Sequence, residues 1–180
     1  AKKYNVELVV RSSLTKAEGT VVKGDLGMEK MLVSGVASDK DVSRITVVGL
    51  PDQPGEAFKL FSLLDKADIC VDIIIQSLGR NNQKDISFTV AQSDLNLALD
   101  ILEKNKSRLG AKEIVHDDNV AKLSIVGAGM ATNSGVASLM FEALYDAGVN
   151  ISMISTSEIK ISVLVAAKDV ERGMIAVHDK

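Results

Sequence analysis

Apolar residues change their spacing several times along this chain, and each change marks a new element. The run "RITVVGL" (44–50) is short and β-branched, which predicts a strand. From Pro54 the apolar positions fall at Ala57, Leu60, Phe61, Leu64 and Ala67, one face of a helix. "ICVDIIIQSLG" (69–79) then reads as a strand, "NNQK" (81–84) as a hairpin turn and "DISFTVA" (85–91) as the returning strand. Ser93 and Asp94 open a second helical pattern through Leu95, Leu99 and Leu102, with their side chains expected to cap free backbone N–H groups. That helix ends near Gly110, and "KEIVHDD" (112–118) completes the order βαββαβ.

The same order starts again at "KLSIVGA" (122–128), followed by a helix face at Val136, Leu139, Met140, Ala143, Leu144 and Ala147. "VNISMISTS" (149–157) and "IKISVLVA" (159–166) give a tight strand pair, and "KDVERGMIAVHDK" (168–180) a last helix. Setting Gly55 on Gly135 places Leu60 on Met140, Phe61 on Phe141, Leu64 on Leu144 and Ser77 on Ser157, so the chain carries an internal repeat. The second unit stops before a fourth strand, whereas "KMLVSGVAS" (30–38) is a strand without a partner in the first. An unpaired edge exposes a row of N–H and C=O groups, so the early strand is expected to close the second sheet. The fold class is α+β, with one unit inserted into the other.

Composition narrows the chemistry. A chain of 180 residues, 46% hydrophobic, can build a real core as one domain or two small ones. With 21 basic and 24 acidic residues the net charge is −3, and no segment clusters Lys and Arg with aromatics, which argues against a nucleic-acid partner. No apolar run reaches the ~20 residues of a membrane span, and "AKKYNVELVV" lacks a signal-peptide core, so a cytoplasmic protein with no membrane partner is expected. Cys70, the single cysteine, sits in an apolar run and reads as a buried structural thiol. His116 and His178 lie in charged segments and read as solvated surface. No spacing marks a metal site or a catalytic centre.

Two strand-to-helix elbows remain, "VGLPDQPGEAFKLF" (48–61) and "VGAGMATNSGVASLMF" (126–141). In the second, Gly127 and Gly129 raise a dinucleotide fingerprint, which leaves a small nicotinamide-dinucleotide-binding enzyme as the alternative reading, although Thr132 stands where a third glycine belongs and no acidic residue ends the next strand. In the first, Pro54 suits an initial helical turn, and the N–H groups of Gly55, Glu56 and Ala57 form an anion site. Asp52 adds a negative charge there. It either pairs with a ligand ammonium, so that a free amino acid satisfies the whole elbow, or caps the helix.

"ITVVGLPDQPGEAFKLF", "VDIIIQS", "DISFTV", "KLSIVGAGM" and "NISMISTSEIKISVLV" together resemble the regulatory region of aspartokinases. The resemblance implies two ferredoxin-like βαββαβ ACT domains, at 39–118 and at 21–38 plus 119–180, after a tail (1–20) similar to the end of the kinase domain. The family's nucleotide- and aspartate-binding motifs are absent, so the chain is either a separate regulatory (beta) subunit or, as its initial Ala favours, a cut fragment. ATP and Mg would belong to a catalytic domain or alpha subunit as partner, with no cofactor in this region. The resemblance further implies threonine or lysine as effectors and a homodimer whose sites join one chain's first unit to another's second. It assigns effector binding to Asp52, Gly55, Glu56, Ala57 and Gln76, and to Val136, Ala137, Asn150, Ile151, Ser157 and Glu158. Cys70 departs from the pattern, since it aligns with Asn150, and the two sites need not bind equally well.

Overall fold

The computed structural model describes residues 6–15, 17–22, 33–77, 79, 81–127 and 135–180. A small antiparallel pair, β1 (Leu8–Val10) and β2 (Thr20–Val22), stands apart from the two larger sheets. The first unit contains β4 (Ser43–Pro51), α1 (Glu56–Asp65), β5 (Ile74–Gln76), β6 (Gln83–Val90), α2 (Leu95–Leu109) and β7 (Glu113–Asp117), with sheet order β5-β6-β4-β7. The second contains β8 (Val120–Val126), α3 (Val136–Asp146), β9 (Ile151–Thr156), β10 (Lys160–Ala166) and α4 (Val170–His178). Its fourth strand is β3 (Gly35–Asp39), which pairs with β8 from Gly35↔Val126 to Asp39↔Lys122 and gives the order β3-β8-β10-β9. The early strand therefore closes the second sheet, in the place that β7 takes in the first. Residues 30–32 of the predicted strand lie outside the described residues.

Each sheet buries one face under its two helices. Ile45, Val47, Ile86 and Phe88 meet Leu60, Leu64, Ala98 and Leu102 in the first core, while Leu123, Ile125, Val163 and Val165 meet Met140 and Leu144 in the second. The alternation of apolar and polar positions in the strands produces this directly, because successive side chains point to opposite faces. A third, smaller cluster of Val42, Ile73, Val120, Met153 and Leu164 joins the two units.

Three local expectations are corrected. The strand foreseen over 69–79 is only Ile74–Gln76, because Ile73 donates its N–H to the Thr89 hydroxyl (3.0 Å) and the regular ladder starts after it. Asp94 occupies the N-cap of α2 without any side-chain cap bond, since a 3-10 turn over Gln92–Asp94 satisfies these N–H groups through the backbone and Ser93 bonds Asp94 instead (3.3 Å). Cys70 is exposed rather than buried. Asp68 adopts a left-handed φ of 55° after α1, and the Ile69 N–H returns to the Leu64 carbonyl (3.1 Å), so Ile69 enters the core and Cys70 faces outward.

Lys122 on β8 binds both Asp39 (3.1 Å) and Asp72 of the first unit (2.6 Å). The Lys122 hydrogen bond is the main cause that holds the Asp72 carboxyl below its usual range. Burial opposes the Lys122 charge, but its bonds to Asp72 and Asp39 outweigh this and raise its pKa. A depressed Asp72 stabilises above its unfolded pKa of about 3.9, and that part is lost as pH falls through the lower folded value. A raised Lys122 stabilises below about 10.4, and its part is lost as pH rises through the higher folded value. Lys122→Met should therefore cost about 1–2 kcal/mol in urea unfolding near neutral pH. The gap between wild type and variant should narrow below pH ~4 and above pH ~10.4; a gap constant from pH 3 to 11 would contradict this bridge.

Candidate functional site

Strand β4 ends in a bulge. Its register with β6 shifts between Val47 and Leu50, Gly49 takes a φ of 73°, and the Gly49 N–H donates to the Asp85 carboxylate (2.8 Å). Beyond it, the Asp52 N–H donates to the Asn82 carbonyl (2.9 Å), tying the elbow to the β5–β6 hairpin. Gly55 then starts α1 at φ 93° with open space around its α-carbon, so the left-handed turn, not packing, demands glycine. Gly135 starts α3 in the same way at φ 102°. The repeat read from the sequence is thus also a repeat of backbone geometry at the two helix starts.

At the first elbow, Asp52 makes no cap bond to α1. The capping alternative fails because Gly55, three residues further on, is the N-cap. The Asp52 carboxylate instead meets the Lys84 ammonium at 3.4 Å, with Asp52 45% exposed and Lys84 only 9%. Lys84 pairs with Leu50 in register and shares the inward parity of Ile86, Phe88 and Val90, which carries its side chain beneath the elbow. A Cβ on Gly79 would collide with the Asp52 carboxylate, so the hairpin backbone closes over it. Glu56 is buried in the first helical turn, 3% exposed, and binds Lys59 at 2.7 Å; a carboxylate there also meets the positive end of the helix dipole. Ala57 is half-buried, and Gln76 is exposed at the end of β5, on the same end of the sheet.

In the second unit, Val136 is buried and Ala137 half-buried at the start of α3. Ser157 and Glu158 are exposed just after β9, at the same end, with the Ser157 N–H donating to the Lys160 carbonyl (2.7 Å). Asn150 and Ile151 stand at the opposite end of β9, six residues and about 20 Å of strand away. One chain thus brings together Asp52, Gly55, Glu56, Ala57 and Gln76, and separately Val136, Ala137, Ser157 and Glu158, but not Asn150 and Ile151 with either set. Lys84 and Gly79 were missed by sequence reasoning. A lysine on the apolar parity of a strand was the available signal.

An apolar cavity of about 480 Å³ adjoins the second elbow, lined by Val136, Leu139, Met140, Ile125, Val36 and Val33. A cleft of about 490 Å³ opens between the units, with Asp39, Asp41, Cys70, Asp72, Lys122 and Lys160 on its walls. The first elbow is open to solvent.

The alternative of a nicotinamide-dinucleotide enzyme using Gly127 and Gly129 is not supported. Every strand pairing among the described residues is antiparallel, whereas that fold needs an adjacent parallel strand, and the Gly127 N–H is taken by the Ile159 carbonyl (2.9 Å). Gly129 and Thr132 lie outside the described residues. His116 and His178 are both exposed.

Duplicated βαββαβ units whose first helices start from left-handed glycines match a known class: the ACT domain profile covers residues 45–105 and 123–180. The regulatory subunit of aspartate kinase from Thermus thermophilus, solved ligand-free, is 40% identical with a TM-score of 0.78, over 83% of this chain and 98% of that one. A crystal structure of aspartokinase alpha and beta subunits contains a chain 44% identical, TM-score 0.76, over 82% of this chain and 97% of that one. The aspartokinase of Pseudomonas aeruginosa is 44% identical over 181 residues, 99% of this chain and 44% of its own length. The chain belongs to the ACT domain family, and within it to the regulatory region of aspartokinases. It spans less than half the length of the curated relatives it matches. No helix among the described residues is long and apolar enough to cross a membrane.

Proposed function

We propose that this chain senses threonine, lysine or both and feedback-inhibits an aspartokinase, the enzyme that phosphorylates L-aspartate to 4-phospho-L-aspartate with ATP and Mg at the entry to lysine, threonine and methionine synthesis. The catalytic step belongs to a kinase domain or alpha subunit, in the cytoplasm. The observation that carries this reading is the first elbow: N–H groups at a left-handed helix start, with an uncapped aspartate and an exposed glutamine on the same end of one sheet. Those groups match the carboxylate, ammonium and side chain of a free amino acid.

An open elbow needs a second wall, and Asn150 and Ile151, remote from both elbows within one chain, are available to supply it from another. A homodimer joined through the ACT units then completes the site, with on the order of 1,600 Å² or more buried in total. Light scattering at micromolar concentration with threonine and lysine present should give twice the chain mass. Titration calorimetry should show saturable heat with at least one of the two amino acids. A monomer with no heat from either would remove the proposal.

A further inference from the structure

Resting on that reading, the geometry points to Lys84 as a tethered cation that competes with the effector ammonium for Asp52 and sets a weakened affinity at the first elbow. Its Nζ already lies 3.4 Å from the Asp52 carboxylate, and its side chain is nearly enclosed while Asp52 is about half open. The lysine thus reaches the carboxylate from the protein side and leaves the solvent side for a ligand. An arriving ammonium must share that carboxylate with Lys84 or push it away. Sharing sets two like charges a few ångströms apart, and displacement takes a buried ammonium from its counter-ion.

Glu56 at the helix start is likewise paired, with Lys59 at 2.7 Å, while the Asp85 carboxylate beneath the bulge accepts from the Gly49 N–H (2.8 Å). The repeat provides an internal comparison. Because Ser77 bonds Asp85 and Ser157 bonds Lys160 in the same manner, Lys84 corresponds to Ile159; from the two helix starts, Glu56 corresponds to Val136 and Lys59 to Leu139. The second elbow has apolar residues at all three places. The tethered cation belongs to the first unit alone, which gives the two elbows different affinities by construction.

The test is calorimetry with L-threonine and L-lysine on the whole chain and its Lys84→Met, Lys84→Gln, Asp52→Asn and Lys84→Met/Asp52→Asn variants, each first checked for folding by circular dichroism. Lys84→Met and Lys84→Gln should tighten first-site binding about tenfold. The double variant should show no gain over Asp52→Asn. If Asp52→Asn weakens binding while both Lys84 variants bind like wild type or worse, Lys84 is not a competitor, although the effector reading stands. If Asp52→Asn binds like wild type, the ammonium is not at Asp52 and the competition with Lys84 falls, whereas the effector reading falls only if neither amino acid gives heat. Using two Lys84 variants keeps the result readable should one of them fold poorly.

Discussion

A chain that begins at Lys40, and so lacks β3, is expected to lose the second unit while keeping the first. The deletion removes five register pairs with β8, the bond from the Ser34 N–H to the Val126 carbonyl (2.6 Å), and the packing of Val33 and Val36 on the second core. About 1 kcal/mol per backbone bond and 1–2 kcal/mol per part-buried valine, offset by about 1 kcal/mol per residue for ordering the strand, leaves a net loss of roughly 2–4 kcal/mol. A unit of this size holds only about 5–10 kcal/mol in all, and each kcal/mol moves its melting temperature by about 4–8 °C. Calorimetric unfolding should therefore separate, with the second unit melting roughly 10 °C or more below the first. Hydrogen exchange should show β8 and β10 unprotected while β4 and β6 stay protected. The Lys122 bridge loses Asp39 in the same deletion, which adds to the effect. Unchanged melting of the shortened chain would show that β3 is dispensable.

The second large effect is expected at Asp52. Asparagine keeps the shape and one acceptor oxygen, but it cannot neutralise an ammonium. Since Asp52 makes no cap bond, α1 itself should not be weakened by the change. Two outcomes follow from the charge alone. Effector binding should fall by about 30-fold or more, the ~2–5 kcal/mol typical of breaking one member of a desolvated hydrogen-bonded pair, with the lower end favoured because Asp52 is 45% exposed in the free chain. The folded chain should also lose about 1–2 kcal/mol, because Lys84 is left enclosed with its carboxylate gone, and Lys84→Met should restore most of that loss. In the complete kinase, Asp52→Asn should keep catalysis and abolish feedback inhibition. Wild-type effector affinity together with wild-type stability would exclude Asp52 from the site.

Much of the fold was legible because it rests on periodicity. The helix faces through Leu60 and Leu64, and through Met140 and Leu144, read directly as the two cores, and the glycines at 55 and 135 mark equivalent helix starts. What failed was local: the length of β5, the capping of α2 and the exposure of Cys70. In each case a nearby group took over a backbone bond, the Thr89 hydroxyl for Ile73, a 3-10 turn for Leu95, and the left-handed Asp68 for the chain after α1. Such competitions are decided by distances that a hydrophobic pattern does not encode.

Legible from the chain alone were two repeated α+β units, a strand taken from before the first to close the second, and an elbow that starts a helix from glycine close to one aspartate. These follow from residue type and spacing, because burial periodicity and glycine's access to positive φ act locally. Register and packing settled that Asp52 faces Lys84 instead of capping α1, that Lys122 bridges Asp39 and Asp72, and that Asn150 and Ile151 lie at the far end of β9 from Ser157. Those relations join residues 32, 83 and 50 positions apart in sequence or depend on which end of a strand faces a helix start. Charge pairing acts through space, so it is settled by the register of the sheets and the packing of one unit on the other.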